Sequence, residues 1–265
     1  MYNDWFSIGP LTVHGYGACI AIGVLLALWM STFRAKKRGL SADLCYELVF
    51  VGVIFGFIGA KILYLIVEWR AFLDNPWSVL SSSGFVVFGG LTCGLFAIWV
   101  DCRIRKQDFL TYMEHNIPSV ALGQAFGRIG CFFAGCCYGR ESTCPVAVTF
   151  HHSDFAPNDV PLLPTQLFSS AGNFLNTLLL LFIASRVKKK GIVLGCYFIF
   201  YSTGRFIIEF FRNDYRGSVG PLSTSQFYGI FAFLFGAGLL IWGIKHEEKP
   251  AEIAAETVED KSEDQ

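Results

Sequence analysis

The chain has 265 residues, 53% hydrophobic and only 16% charged. Its mean hydropathy is +0.48. Together these exclude a soluble domain built on one core and indicate a membrane protein. Formal charge is zero, and no nucleic-acid partner is expected. The charge is uneven along the chain, however. The stretch from Lys245 to Gln265 is acidic and short of aromatics, so residues 246–265 read as a disordered tail on a domain spanning 1–245. A cleavable signal peptide is not expected. The N-terminus lacks a basic region, and the first apolar run is too long for a signal core.

In chain order, apolar segments lie at 11–33, 45–67, 84–102, 109–128, 166–185, 192–211 and 225–244. Each is long enough to cross a hydrocarbon core of about 30 Å. A backbone in lipid must satisfy its own polar groups, so these segments are predicted helices. The expected fold class is all-α, a polytopic integral membrane protein with about seven transmembrane helices. The fourth segment carries Glu114, His115, Asn116 and Pro118 in its first half. Basic clusters follow the odd-numbered segments: Arg34, Lys36, Lys37 and Arg38, then Arg103, Arg105 and Lys106, then Arg186, Lys188, Lys189 and Lys190, and finally Lys245. By the positive-inside rule these ends are cytoplasmic, the N-terminus is outside and the C-terminus is cytoplasmic. Arg70, Arg140, Arg212 and Arg216 break this bias.

Several residues carry chemistry. Tyr16 sits in His14-Gly15-Tyr16-Gly17 at the outer end of the first segment. It reads as an interfacial anchor or as part of a binding site. Lys61 lies inside the second segment and either snorkels outward or adds to a cationic pocket. Arg128 stands in Gly127-Arg128-Ile129-Gly130. A guanidinium keeps its proton, and charge at membrane depth is usually functional. Gly123 and Gly127 have a small-xxx-small spacing that lets helices approach closely. The later glycines allow a helix break or a backbone approach to a ligand. Arg205, Glu209 and Arg212 fall at i, i+4 and i+7, on one predicted helix face. Glu209 suits orientation of Arg205 better than base catalysis, because a carboxylate engaged by two arginines is a weak base. Two such arginines suggest a lipid phosphate as ligand, with a structural ion pair to Glu209 or Glu68 as the competing reading of Arg128.

The nine cysteines do not form a secreted disulfide framework. Cys19, Cys45, Cys93, Cys102 and Cys196 lie in apolar runs, where cysteine is a small hydrophobe. Cys131, Cys136, Cys137 and Cys144 cluster. Packing of a tight helix end is the first reading, and an external disulfide from Cys144 to Cys136 or Cys137 the second. A thiolate nucleophile comes third, and the spacing matches no strong zinc signature.

The blocks His14-Gly15-Tyr16-Gly17, Gly89-Gly90-Leu91, Gly127-Arg128-Ile129-Gly130, Tyr138-Gly139-Arg140, Pro164-Thr165-Gln166-Leu167 and Gly204-Arg205 through Arg212 share order and spacing with a known family. The chain resembles prolipoprotein diacylglyceryl transferase from Phe6-Ser7-Ile8-Gly9-Pro10 to the seventh segment. The resemblance implies a seven-helix enzyme of the bacterial plasma (inner) membrane. Such an enzyme moves the diacylglyceryl group of phosphatidylglycerol to the lipobox cysteine thiol of a prelipoprotein, forming a thioether and releasing glycerol phosphate. It implies phosphatidylglycerol, other membrane lipids and prelipoprotein signal peptides as partners, with no cofactor and no metal. Carried over, it makes Arg128, Arg205 and Tyr16 the expected catalytic residues. Gly139, Glu209, Arg212, Gly89, Gly90 and Gln166 become the expected substrate-binding ones.

The chain also departs from that family. Phe88 stands where histidine is usual, Cys131 where asparagine is, Cys136 where an acid is, and Lys61 where arginine is common. The family's His-Pro-Ser-Gln-Leu-Tyr-Glu reads here as Leu163-Pro164-Thr165-Gln166-Leu167-Phe168-Ser169. Two alternatives follow: a non-catalytic lipid-binding or lipid-sensing protein on the same scaffold, and a transferase with a different acceptor. A transporter would need internal repeats and paired broken helices, which the sequence does not display.

Overall fold

Long apolar runs fold as long helices here, because a helix is the conformation that closes its own hydrogen bonds. The computed structural model describes residues 4–8, 11–82, 84–214 and 218–246. The expectations for the acidic tail from 247 onward, for Gly9 and Pro10 and for Arg216 lie outside the described residues. The chain forms two compact units, Met1–Ala134 and Gly135–Gln265.

The first unit opens with an antiparallel pair, β1 (Asp4–Ile8) and β2 (Leu11–His14). Helices α1 (Gly15–Arg38) and α2 (Ala42–Val67) follow. Two short helices come next, α3 (Trp69–Asp74) and α4 (Pro76–Ser81), then α5 (Val87–Ile104) and α6 (Phe109–Ala134). The second unit has β3 (Val148–Thr149) paired with β4 (Pro161–Leu162). Helices α7 (Thr165–Arg186) and α8 (Ile192–Glu209) come after them. The pair β5 (Ser218–Val219) and β6 (Leu222–Ser223) leads into α9 (Thr224–Lys245).

The seven long helices are each long and apolar enough to cross a membrane. At 18 to 26 residues they run about 27–39 Å at 1.5 Å per residue. α2 and α9 leave large apolar side chains exposed along their length, among them Phe50, Phe57, Ile62, Phe231, Leu234 and Ile241. Water would penalise such a surface, whereas lipid does not. The predicted all-α polytopic class is the one observed.

Three boundaries differ from the sequence reading. α1 starts at Gly15, because residues 11–14 pair as a strand. α6 runs unbroken through Pro118 and Gly130 to Ala134, and Gly135, with a φ of +74°, ends it. α8 stops at Glu209, so Arg212 stands beyond the helix rather than two turns along its face. α3 and α4 were not anticipated. Asn75 caps α4 by accepting from the Ser78 amide, with Pro76 in the first turn, a position where proline's missing N–H costs nothing.

Glycines set the helix pairings. On α2 and α5, a Cβ at Gly89 would strike the Gly59 carbonyl, and one at Gly90 would lie 2.8 Å from the Gly56 carbonyl. On α1 and α6, a Cβ at Gly23 would meet Phe126 Cβ at 2.7 Å. On α8 and α9, a Cβ at either Gly195 or Gly236 would lie 2.8 Å from the other's carbonyl.

The polar residues that interrupt the fourth segment point inward. Glu114, His115, Asn116 and Ser119 are buried. Ser31 of α1 donates to Asn116 Oδ1, His115 Nε2 lies 3.0 Å from the Ser31 carbonyl, and Arg34 donates to the His115 carbonyl at 2.8 Å. α6 therefore presents its polar side to α1, not to lipid.

Candidate active site

In the second unit the chain leaves α6 through two left-handed residues, Gly135 and Cys137. The next stretch is laced between two others. Gly139 N–H donates to the Leu163 carbonyl at 2.9 Å, Leu163 N–H to the Arg140 carbonyl at 3.0 Å, and Arg140 N–H to the Phe211 carbonyl at 2.9 Å. Gly139 bridges Arg212 across this crossing. A Cβ on Gly139 would lie 2.7 Å from the Leu163 carbonyl and 2.8 Å from the Phe211 carbonyl. Only glycine fits between these two backbones. Gly139 thus fixes the position of Arg212 through the main chain.

The arginine pair is held by carboxylates. Arg205 lies 3.0 Å from Glu209 Oε2 and donates to Ser225 Oγ of α9 at 2.8 Å. Arg212 lies 3.9 Å from Glu209 Oε2 and forms a two-pronged pair with Asp214, at 2.8 Å and 2.6 Å. The side chains are only 13% (Arg205), 9% (Glu209) and 3% (Arg212) exposed. Charges so buried must be paired. Glu209 pairs with both arginines, and its place suits orientation of Arg205. The planar fork of Arg212 is already taken by Asp214, which makes Arg212 a framework group of the site.

Gln166 and Thr165, at the start of α7, are also buried. Gln166 Nε2 donates to the Cys136 carbonyl at 2.8 Å, and Thr165 Oγ1 to the Cys137 carbonyl at 2.7 Å. Gln166, expected to bind substrate, is placed where it clamps the loop before Gly139.

In the first unit, Arg128 is half-buried on α6. Tyr16 is 42% exposed in the first turn of α1. A Cβ at Gly130 would touch the Tyr16 carbonyl at 3.1 Å and its ring at 3.2 Å, so Tyr16 lies against α6 within one turn of Arg128. Gly89 and Gly90 face the backbone of α2, where they serve helix packing. Phe88, in the family's histidine position, is 47% exposed. Lys61 donates to the carbonyls of Val79 and Ser82 at 3.1 Å and 2.7 Å and lies over the rings of Tyr64 and Phe85. It neither snorkels away nor stands bare. It ties the segment after α4 to α2.

A family model for prolipoprotein diacylglyceryl transferase matches residues 3–242. The chain belongs to the prolipoprotein diacylglyceryl transferase family. It is 42% identical to a phosphatidylglycerol–prolipoprotein diacylglyceryl transferase of Clostridium tetani, covering 87% of this chain and 93% of that one. A second such transferase, numbered 2 in Clostridium perfringens, is 40% identical over 88% of this chain and 91% of its own. One from Clostridium botulinum is 32% identical over 92% and 97%.

Two residues of this transferase-family site escaped the sequence reading. Asp214 is two residues from Arg212, a spacing that does not face on a helix. The end of α8 at Glu209 brings it round. Ser225 opens α9, and nothing local links it to Arg205; only the pairing of α8 with α9 does. Cys144 carries a free thiol, so the external disulfide expected as second reading is not formed.

Proposed function

We propose that this protein is a membrane transferase that moves the diacylglyceryl group of phosphatidylglycerol onto the lipobox cysteine thiol of a prelipoprotein. The acceptor sulfur attacks the glyceryl carbon that bears the phosphate ester. The carbon–oxygen bond breaks, its electron pair leaves with glycerol phosphate, and a thioether remains. The observation that carries this reading is Arg205, a buried guanidinium oriented by Glu209 and Ser225. A pre-oriented cation stabilises charge developing on a leaving phosphate without reorganising during the reaction. Arg128 supplies positive charge from α6, and Tyr16 lines its approach. Gly139, Gln166 and Arg212 support the site by holding its loop. The acceptor thiol, with a pKa of about 8.5, is partly ionised at neutral pH, so its proton can pass to the departing phosphate, and the absence of a histidine at Phe88 does not block the step.

Membrane residence in a bacterial plasma membrane, with the N-terminus and the Gly139 loop outside, follows from the basic clusters. Residues 1–245 act as one catalytic domain and the tail is dispensable. The test is mass spectrometry of a lipobox peptide after incubation with purified protein and phosphatidylglycerol. A diacylglyceryl mass added to the cysteine, with glycerol phosphate released, is the expected result. Lipid binding without any transfer would favour the lipid-sensing alternative.

A further inference from the structure

Cys136 and Cys137 are adjacent in sequence, and their sulfurs lie 3.7 Å apart. Cys137 is in the left-handed region, with a φ of +64°, a backbone that a non-glycine residue rarely adopts. Cys137 is buried and Cys136 partly exposed. Both carbonyls of the pair are gripped, by Gln166 and Thr165. Two residues on, the chain enters the crossing of Gly139, Leu163 and Phe211 that sets Arg212. Neither packing nor the lipid chemistry needs two thiols in this arrangement.

We propose that Cys136 and Cys137 are a vicinal redox pair that closes reversibly to a disulfide and, in closing, loosens the loop that holds Arg212. The oxidant is a small-molecule or protein disulfide. The exposed Cys136 thiolate attacks one sulfur of that disulfide and releases a thiolate, leaving a mixed disulfide on Cys136. The Cys137 thiolate then attacks the Cys136 sulfur and expels the second thiolate. Two cysteine thiols are oxidised, one disulfide is reduced to two thiols, and the two protons end on the released thiols.

The ring so formed is strained. Neighbouring Cα atoms across a trans peptide are about 3.8 Å apart, whereas disulfides prefer about 4.4–6.8 Å. Strained disulfides are the easily reduced ones, suited to a reversible role. Closure must turn the Cys136–Cys137 peptide, and that turn pulls the Cys136 carbonyl from Gln166. The strain then passes along Tyr138 to Gly139, which has no room to shift. The effect on transfer rests on the proposed function; closure of the pair does not.

The test uses the purified full-length protein in lipid nanodiscs. Phenylarsine oxide, which two neighbouring thiols chelate with loss of water, should bind wild type and Cys131→Ser but be lost from Cys136→Ser. Glutathione disulfide should lower the mass of the 129–140 peptide by about 2 Da in Cys131→Ser, and dithiothreitol should restore it. Transfer by wild type should fall about tenfold on oxidation and recover on reduction, while Cys136→Ser transfers at one rate throughout. Failure of Cys131→Ser to close, or a wild-type disulfide that includes Cys131, would overturn the pair. Closure with unchanged transfer would overturn the coupling to Arg212. If the reduced protein never transfers, the transferase reading fails, and peptide mass still decides whether the pair closes.

Discussion

Arg205 shows how much chemistry one side chain draws from its neighbours. Its charge at depth is tolerable because Glu209 answers it, and its direction is set because Ser225 takes a second N–H. Arg205→Ala should therefore cut transfer about 100–1000-fold, the usual loss for one charge-stabilising donor. Arg205→Lys should recover little, since an ammonium lacks the planar fork. Glu209→Gln tests positioning: kcat should fall while the protein still folds and inserts. A Glu209→Gln enzyme with unchanged kcat would remove Glu209 from the site. Cys144 gives a separate residue-scale measure. The Ser142 hydroxyl holds its thiol below the usual range, with help from the amides of Val146 and Ala147. More of it is thiolate at a given pH, so its alkylation should persist to lower pH than that of a simple thiol. Ser142→Ala should move the alkylation profile back upward, and an unmoved profile would contradict that cause.

At the scale of elements, glycines decide which helices meet. Gly59 on α2 and Gly89 on α5 each lie against the other's backbone, and neither has room for a side chain. Gly89→Val should part the two helices. Overpacking of this kind costs about 1–3 kcal/mol and should appear as a lower midpoint in thermal unfolding, with the loss confined to the first unit. Gly139→Ala acts differently. It displaces the Leu163 and Phe211 backbones that meet at Arg212, so transfer should drop by an order of magnitude or more with little change in insertion. Full activity in Gly139→Ala would show that the crossing does not position Arg212.

For the whole molecule, the alternation of basic clusters predicts a topology that thiol labelling can read. A membrane-impermeant maleimide should label Cys144 on intact cells, and Cys144→Ser should remove that signal. Cysteine placed at Lys189 should react only after the membrane is opened. Labelling of Lys189→Cys from outside, with Cys144 protected, would invert the orientation.

Composition and apolar length alone determined that seven helices cross a membrane, because lipid leaves the backbone no other choice. The family blocks were legible too, since glycines and arginines stand at distinctive spacings in an otherwise apolar chain. The places where helices begin and end were less legible. Residues 11–14 are as apolar as the helix they precede, and only strand pairing removes them from it. Tertiary structure alone decided what each glycine and arginine does. Gly89 and Gly90 resolve into helix packing, Gly139 into a crossing of three backbones, and Lys61 into a clasp on carbonyls. Asp214 and Ser225 join the site only because α8 ends at Glu209 and lies beside α9. Period and propensity act over a few residues, whereas these pairings depend on segments distant in sequence, which is why no local pattern announces them.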